Sequence, residues 1–234
     1  MPGIGTDPAT DVALLSWLQL HDSAMPAGRL VHSHGFEEWL ARRPEADAES
    51  IESAVIAYLE HAFATMDATI TAGAWRAYPA VLPLLELDDL ASTYKLSRNA
   101  RTASVATGRQ LAGTAQEIGL AGDDRYLAAV VAQTTVGHCA VVEGALQARL
   151  GIPLHLAVAG SIRSMLAGLL SVAVRTGRLG PLRSQRIQHR NVAAITKLAR
   201  EAAERDLGDL SSTAPTFEIS GMCHETRTAR LFAT

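Results

Sequence analysis

Residues 47–70 read DAESIESAVIAYLEHAFATMDATI, and the spacing of their apolar side chains decides the fold class. Apolar residues recur at intervals of three and four, which places them on one face of a helix. Asp47 stands just before this pattern and can cap the helix N-terminus. The stretch predicts one long amphipathic helix that packs against other helices. Its inner face would carry Ile51, Val55, Tyr58, Leu59, Ala62, Phe63, Met66 and Ile70.

The rest of the chain shows further helical segments with recognisable ends. Asp11 and either Asp123 or Asp124 are placed to cap two of them, and Gly119 and Gly151 to end two of them. The predicted helices cover residues 11–21, a segment from 33, 88–97, 98–118, a segment from 123 or 124 to 150, 154–174 and 181–206.

Composition favours an all-helical protein. Of 234 residues, 48% are hydrophobic but only 5% aromatic, and the abundant alanine is the best helix former. Neither a fixed-period repeat nor a change of composition divides the chain. We therefore predict a single all-α domain of about nine helices over residues 11–207. A mobile N-terminus at 1–10 would precede it, and a linker with an extended, partner-binding tail at 208–234 would follow.

Charge and cysteine usage narrow the classes of function and location. The formal net charge is −3, which gives no field for nucleic acid. Cys139 and Cys223 lack metal-site spacing, and no signal peptide is evident, so a cytoplasmic protein is expected. The most apolar segment, 154–174, contains Arg163 near its centre, which a bilayer would penalise. It is predicted to be a buried core helix, and no membrane partner is expected.

Few residues are arranged for catalysis or for metal binding. No phosphate loop is present, so any GTP hydrolysis would belong to a partner. His32 and His34 could share a metal ion from a loop, although a structural or partner-contact role is the alternative. His138 on an apolar stripe is more often a core histidine than a catalyst. Cys223 and the adjacent His224 do not close a metal site by themselves.

Charged side chains along the predicted helices have plainer interpretations. The pairs at 88–89 and 123–124 are typical of acidic residues that complement a helix N-terminus. Arg98, Arg101 and Arg109 fall along one helix. They would form either a solvated face or a patch for an acidic partner.

The C-terminal tail carries more apolar residues than a loose terminus needs. It would either dock on its own domain or supply anchors to a partner. We expect the linker at 208–215 to be mobile, and truncation after Leu210 to leave stability nearly intact while abolishing partner binding. The predicted anchors are Phe217, Ile219, Met222, Leu231 and Phe232, with His224, Glu225 and Arg230 in polar contacts at the rim.

Several stretches, in order along the chain, resemble the motifs of the UreF family of urease accessory proteins. They are LLSWLQLHDSAMPAG at 14–28, HSHGFE at 32–37, RTASVATGRQL at 101–111, GHCAVVEGAL at 137–146 and SGMCHETRTARLF at 220–232. The residues that match these motifs most directly are Pro26, Gly28, His32, Ser33, Gly35, Glu37, Arg101, Ser104, Gly108, Arg109, Gly137 and His138.

The chain also departs from the family pattern. Arg29 stands where glycine is usual, Thr107 where glutamine is common, and Cys223 where arginine is common. Residues 181–185 read PLRSQ in place of the family's usual segment. If, in the family, that segment contacts the GTPase partner UreG, the contact must differ in this chain.

The resemblance implies a non-enzymatic urease maturation factor that is helical and usually a homodimer. Such a protein bridges a UreD/UreH-type accessory protein and the GTPase UreG, and it regulates the GTP-dependent delivery of nickel to apo-urease by the complex. No cofactor would be held by this chain, since nickel is handled by the complex. Three alternatives stay open: an enzyme using His32, His34 or His138, a nickel-binding carrier using His32, His34 or His224, and a helical adaptor for another metalloenzyme.

Overall fold

The computed structural model describes residues 8–224 and 231–233, and within them the chain is all-α, as the sequence predicts. Twelve α-helices, rather than about nine, occur in these residues, together with short 3₁₀ turns at Arg29–Val31 and Leu207–Asp209. The first six helices are α1 Pro8–Leu20, α2 Phe36–Ala41, α3 Ala48–Tyr58, α4 Asp67–Ala77, α5 Val81–Tyr94 and α6 Arg98–Glu117. The other six are α7 Arg125–Val131, α8 Cys139–Arg149, α9 Leu154–Arg175, α10 Pro181–Arg190, α11 Val192–Glu204 and α12 Pro215–His224.

Several helix ends follow the expected local chemistry. Asp47 caps α3 by accepting from the Ser50 amide at 2.8 Å, and Asp124 caps α7 through the Leu127 amide at 2.8 Å. Gly151 follows α8 with a φ of 69°, a left-handed conformation that glycine adopts without strain. Asp11, in contrast, lies inside the first turns of α1, which begins at Pro8.

Three predicted long helices are each divided, and the tail contributes α12, which together account for the higher count. Residues 47–70 form α3, a π-helical turn at Leu59–Phe63 and then α4, with Met66 at a non-helical φ of −129°. The stretch 124–150 breaks into α7 and α8 around Gln133, which has a φ of 57°. The segment 181–206 is interrupted at Asn191. An apolar stripe can continue across such breaks, so periodicity does not show them.

Two helices organise the core. Helix α4 packs against α5, α8, α9 and α11, and its closest neighbour is α8. Gly144 permits that approach, because a Cβ there would lie 2.8 Å from the Ala74 Cβ and 3.1 Å from the Trp75 nitrogen. Helix α9 is the second of these two helices, and it buries Leu166, Leu169 and Leu170 in the core. By length and composition α9 could cross a membrane, but most of its apolar window is buried inside the protein, as in the core helix of a soluble protein.

The tail is part of this architecture. Helix α12 packs on α2, and Phe217 and Phe232 join the same hydrophobic core as α3, α9 and α11. The preceding linker is also attached, since Leu210 is buried and the Ser211 and Thr213 amides donate to the carbonyls of Thr65 and His61. Residues 215–224 are therefore a docked helix where an extended segment was predicted.

Candidate functional site

The docking site of the tail is an aromatic cluster between α2, α3 and α12. The Phe217 ring stacks on Phe36 at a centroid distance of 5.5 Å and on Tyr58 at 4.9 Å. Trp39 lies 6.3 Å from the Phe217 ring. Burial of a phenylalanine contributes about 1.5 to 3 kcal/mol, so this one ring is a substantial anchor.

Gly35 sets how closely α12 approaches α2. Gly35 has a φ of 81°, and a Cβ at this position would lie 2.7 Å from the Gly221 nitrogen and closer still to the Phe217 carbonyl oxygen. A side chain at Gly35 would therefore push α12 away. The motif glycine of residues 32–37 is needed for the tail to dock.

Glu37 on α2 ties the tail to the domain. Its buried carboxylate accepts from His224 Nε2 at 2.8 Å, from the Leu231 amide at 2.9 Å and from the Phe232 amide at 3.3 Å. Burial would raise the pKa of Glu37, but the bonds from Leu231, His224 and Phe232 hold it below its ordinary value. The carboxylate is thus charged at neutral pH and acts as a three-way acceptor.

The last described residues cross the domain as a short strap, residues 231–233. Phe232 is buried beneath Arg175, whose guanidinium carbon lies 4.3 Å from the ring centroid. The Ala233 amide donates to the Val31 carbonyl at 2.8 Å. The strap therefore runs beside the 3₁₀ turn at Arg29–Val31.

The predicted partner anchors divide into two groups. Phe217 and Phe232, expected to be available to a partner, are instead buried in this domain, since Phe36 and Arg175 offer them matching surfaces. His224, expected at a polar rim, is completely buried against Glu37. Ile219, Met222 and Leu231 face outward with 57%, 46% and 63% of their surface exposed. Glu225 and Arg230 lie outside the described residues.

A second built junction surrounds His138 at the start of α8. Its Nε2 lies 2.8 Å from the Ser92 hydroxyl, and its Nδ1 lies 3.0 Å from the Ser104 hydroxyl. The imidazole is almost fully buried, and burial, aided by the charge of Lys95, lowers its pKa to about 4. His138 is accordingly a neutral, doubly bonded core histidine at pH 7.

Asp88 supports this junction from α5, a role that the sequence analysis missed. Predicted to complement a helix N-terminus, it lies mid-helix and is 1% exposed. Its carboxylate accepts from the amides of Gly137 and His138 and from the Tyr126 hydroxyl. Because Asp88 holds the backbone and not the imidazole, the site lacks the orientation of a serine–histidine–carboxylate relay.

The remaining motif residues of α6 close the same junction. A Cβ at Gly108 would lie 2.9 Å from the Cys139 nitrogen, so α6 and the turn before α8 meet backbone to backbone. Arg101 donates to the Lys95 and Leu96 carbonyls at the end of α5, and Arg109 donates to the Val136 carbonyl. Arg101 thus fastens the end of α5 and Arg109 the connection before α8, which neither predicted interpretation of this row anticipated.

The first two motif stretches meet in the connection between α1 and α2. The Pro26 carbonyl accepts from Thr114, Gly28 takes a φ of 73°, and the Ser33 carbonyl accepts from the Phe36 amide. Arg29, which replaces the usual glycine, donates to Glu143 at 2.8 Å and to the Leu20 carbonyl. The departure from the family pattern is therefore accommodated by a partly buried ion pair.

The two histidines proposed as metal ligands line a partly open cavity of about 160 Å³. Burial lowers the pKa of both, to about 4 for His34, where the neighbouring His32 and Lys95 add to the effect. The buried pair of Lys95 and Asp67, 2.7 Å apart, forms part of the same wall. Across residues 8–224 and 231–233, no three histidine, cysteine or acidic side chains are grouped to hold a metal ion. His224, the third histidine proposed for metal binding, is hydrogen-bonded to Glu37 at 2.8 Å.

Comparison with known proteins identifies the family of this chain. A sequence model of the UreF family matches residues 46–192. The chain belongs to the UreF family. The urease accessory protein UreF of Kocuria rhizophila (strain ATCC 9341 / DSM 348 / NBRC 103217 / DC2201) is 30% identical over 228 residues, which cover 94% of this chain and 96% of the relative.

Other UreF proteins align over nearly the whole chain. Urease accessory protein UreF of Paenarthrobacter aurescens (strain TC1) is 28% identical, with 93% of this chain and 96% of the relative covered. That of Granulibacter bethesdensis (strain ATCC BAA-1260 / CGDNIH1) is 29% identical, with 99% and 97% covered. The resemblance read from the motifs is confirmed, and membership assigns this chain a role in urease maturation.

Proposed function

We propose that this UreF-family chain is a non-enzymatic scaffold that joins a UreD/UreH-type accessory protein to the GTPase UreG, so that the complex delivers nickel to apo-urease. Family membership supports the urease assignment. The observation that carries the scaffold role is the tail, which is fixed on the domain by buried residues and presents Ile219, Met222 and Leu231 outward. Exposed apolar side chains held in place by a rigid support are typical of protein-binding surfaces.

The UreD/UreH-type protein is the proposed occupant of this tail surface. Two further apolar residues, Leu30 and Val31, are exposed in the 3₁₀ turn to which the strap is hydrogen-bonded. Together they would extend the apolar area beyond α12. The GTPase would bind elsewhere on the same chain.

The proposed partners supply the chemistry that this chain lacks. Its sequence has no GxxxxGK[ST] phosphate loop, so GTP binding and hydrolysis are assigned to UreG. His138 is hydrogen-bonded to both Ser92 and Ser104, which supports a structural role for the three residues over a catalytic one. Nickel is cargo of the complex in this proposal.

We also propose that the chain is a cytoplasmic homodimer. Helix α1 supplies a face suited to self-association, since Val12, Leu15 and Leu18 are each more than half exposed. Two-fold dimers are the commonest oligomers. Sedimentation at tens of micromolar, where a dimer is expected, would count against this part by showing a monomer.

Reconstitution tests the proposed function directly. Apo-urease, nickel, GTP, UreG and the UreD/UreH-type protein would be combined with and without this chain, and urease activity measured. We expect activation to depend on the chain, and the isolated chain neither to bind nor to hydrolyse GTP. Equal activation in its absence, or saturable GTP binding by the chain alone, would refute the proposal.

A further inference from the structure

Two polar side chains in the cavity of about 160 Å³ make no hydrogen bond within the protein. His34 and Tyr58 both line its wall, and each is half-buried. Neither the His34 imidazole nor the Tyr58 hydroxyl has a hydrogen-bond partner within residues 8–224 and 231–233. Enclosed polar groups in native proteins nearly always find a partner in the protein, in water or in a ligand. The cavity therefore offers two polar groups to a ligand.

Both side chains are held in position. The Tyr58 ring stacks on Phe217 at a centroid distance of 4.9 Å. His34 has a φ of 52°, a left-handed conformation that residues other than glycine adopt uncommonly. Such conformations persist where the surrounding structure enforces them, and they cluster at functional sites. The two groups are thus preorganised.

The ion pairs in the wall leave no charge for a ligand to neutralise. Among the described lining residues the two basic side chains are Arg29 and Lys95, and each already has a carboxylate partner. Lys95 Nζ lies 2.7 Å from Asp67, and the Arg29 guanidinium lies 2.8 Å from Glu143. A charged ligand would lose its hydration without gaining a free counter-ion, which is costly in an enclosed site.

The polar groups of the wall also disfavour a charge of either sign. Burial lowers the pKa of His34 to about 4 and raises the pKa of Tyr58 well above its ordinary value. A positive charge on the imidazole and a negative charge on the phenol are therefore both unfavourable. Glu218, a further lining residue, accepts from the Ser212 hydroxyl at 3.3 Å and would repel an anion. The chemistry favours a neutral ligand.

The remaining wall is mostly apolar and sets the size of the ligand. It includes Ala62, Phe63, Met66, Ala103 and Met165. An apolar cavity of about 150 Å³ is large enough to bind benzene. This cavity has a similar volume, about 160 Å³, and it is partly open, so a ring-sized molecule can enter from solvent.

We propose that this cavity is a binding site for a small, neutral, ring-sized organic molecule whose hydroxyl or amide group pairs with His34 and Tyr58. A hydroxyl or an amide both donates and accepts, so it matches a neutral imidazole and a phenolic hydroxyl. The apolar wall would hold the ring. This inference goes beyond the proposed function, because the site requires no partner protein.

Three probes and three variants of the full-length chain test the site. Phenol carries a ring and a hydroxyl, benzene lacks the hydroxyl, and benzoate carries a negative charge. Y58F removes the hydroxyl alone, and H34F replaces the imidazole by an apolar ring. Y78F is the matched control, since the Tyr78 hydroxyl accepts from Arg149 and Tyr78 does not line this cavity. Saturation-transfer NMR titrations measure each Kd.

Phenol should bind saturably at one site and about tenfold more tightly than benzene, and benzoate should not compete with it. Y58F and H34F should each weaken phenol binding about fivefold, as the loss of one hydrogen bond implies, and leave benzene binding unchanged. Y78F should match the wild type. Y58F alone carries the test if H34F fails to fold.

Each contrary result overturns a stated part of the proposal. Phenol binding that does not saturate would mean that the cavity takes no organic ligand of this size. Equal affinities for phenol and benzoate would overturn the requirement for a neutral ligand. An unchanged Kd for phenol in Y58F and H34F would place phenol outside this cavity. None of these measurements involves urease activation, so the scaffold proposal is tested separately.

Discussion

At the tail site, Gly35 lets α12 approach α2 and the buried carboxylate of Glu37 holds the tail in place. At the His138 junction, Gly108 lets α6 approach the start of α8, and the buried carboxylate of Asp88 holds the backbone there. The two regions thus use the same two devices, a glycine for close approach and an acceptor for backbone amides.

The difference lies in what each region leaves exposed. The junction is enclosed by α5, α6 and α8, and its polar groups satisfy one another. The tail site is buried on one side only, and α12 carries Ile219 and Met222 on the other. In both regions the motif residues therefore form internal contacts. Only the tail site also has exposed apolar neighbours, and these indicate a surface for a partner.

The largest expected effect comes from removing the tail. Truncation after Leu210 deletes Phe217 and Phe232 and uncovers Phe36, which is fully buried. At about 1.5 to 3 kcal/mol for each buried phenylalanine, the free energy of unfolding should fall by about 3 to 6 kcal/mol. The structure thus replaces the sequence-based expectation of nearly intact stability. Urea denaturation measures the effect, and an unchanged midpoint would mean that the tail is not stably docked.

Acid should weaken the His138 junction. The pKa of His138 is lowered from 6.5 to about 4, so the unfolded chain binds this proton first as the pH falls. Its contribution to stability is present above pH 6.5 and is lost between pH 6.5 and about 4. At about 1.4 kcal/mol for each pH unit, the loss approaches about 3 kcal/mol.

Unfolding free energies measured at intervals from pH 7 to 4 test this effect. H138Q should reduce the pH dependence, of which His34 retains a part, whereas H155Q, a change at an exposed histidine, should leave it as in the wild type. Parallel curves for the wild type and H138Q would contradict the assignment.

Local signals in the sequence predicted much of the fold, while long-range pairings escaped it. Asp47 and Gly151 mark helix ends because capping and left-handed turns depend on neighbouring residues. The break at Gln133 has no such mark, since a non-glycine residue takes its left-handed conformation there. The contact between Glu37 and His224 spans 187 positions, and no periodicity relates such residues. The motif resemblance included both residues without showing that they are in contact.

Two glycines of α6, Gly108 and Gly113, provide a matched pair of substitutions that tests the packing at the junction. A Cβ at Gly108 would meet the Cys139 nitrogen at 2.9 Å, whereas one at Gly113 would meet nothing within 4 Å. We expect G108A to lower the free energy of unfolding by about 2 kcal/mol through overpacking. G113A should raise it by about 0.5 to 1 kcal/mol, since alanine is the better helix former. Thermal denaturation compares them, and equal shifts would show that α6 is not closely packed at Gly108.

The smallest effect on stability, and the most specific on function, is expected at the outer face of the tail. Ile219 and Met222 are exposed, so the double change to serine should alter the free energy of unfolding by no more than about 0.5 kcal/mol. Binding of the UreD/UreH-type protein should nevertheless weaken about tenfold or more, because these side chains would be buried only in the complex.

I118S is the control, since Ile118 at the end of α6 is similarly exposed, at 48%, but lies away from the tail. Titration calorimetry on the three proteins measures the affinity. If both changes weaken binding equally, the outer face of α12 has no special part in capturing the partner; if neither does, the partner binds elsewhere on the chain.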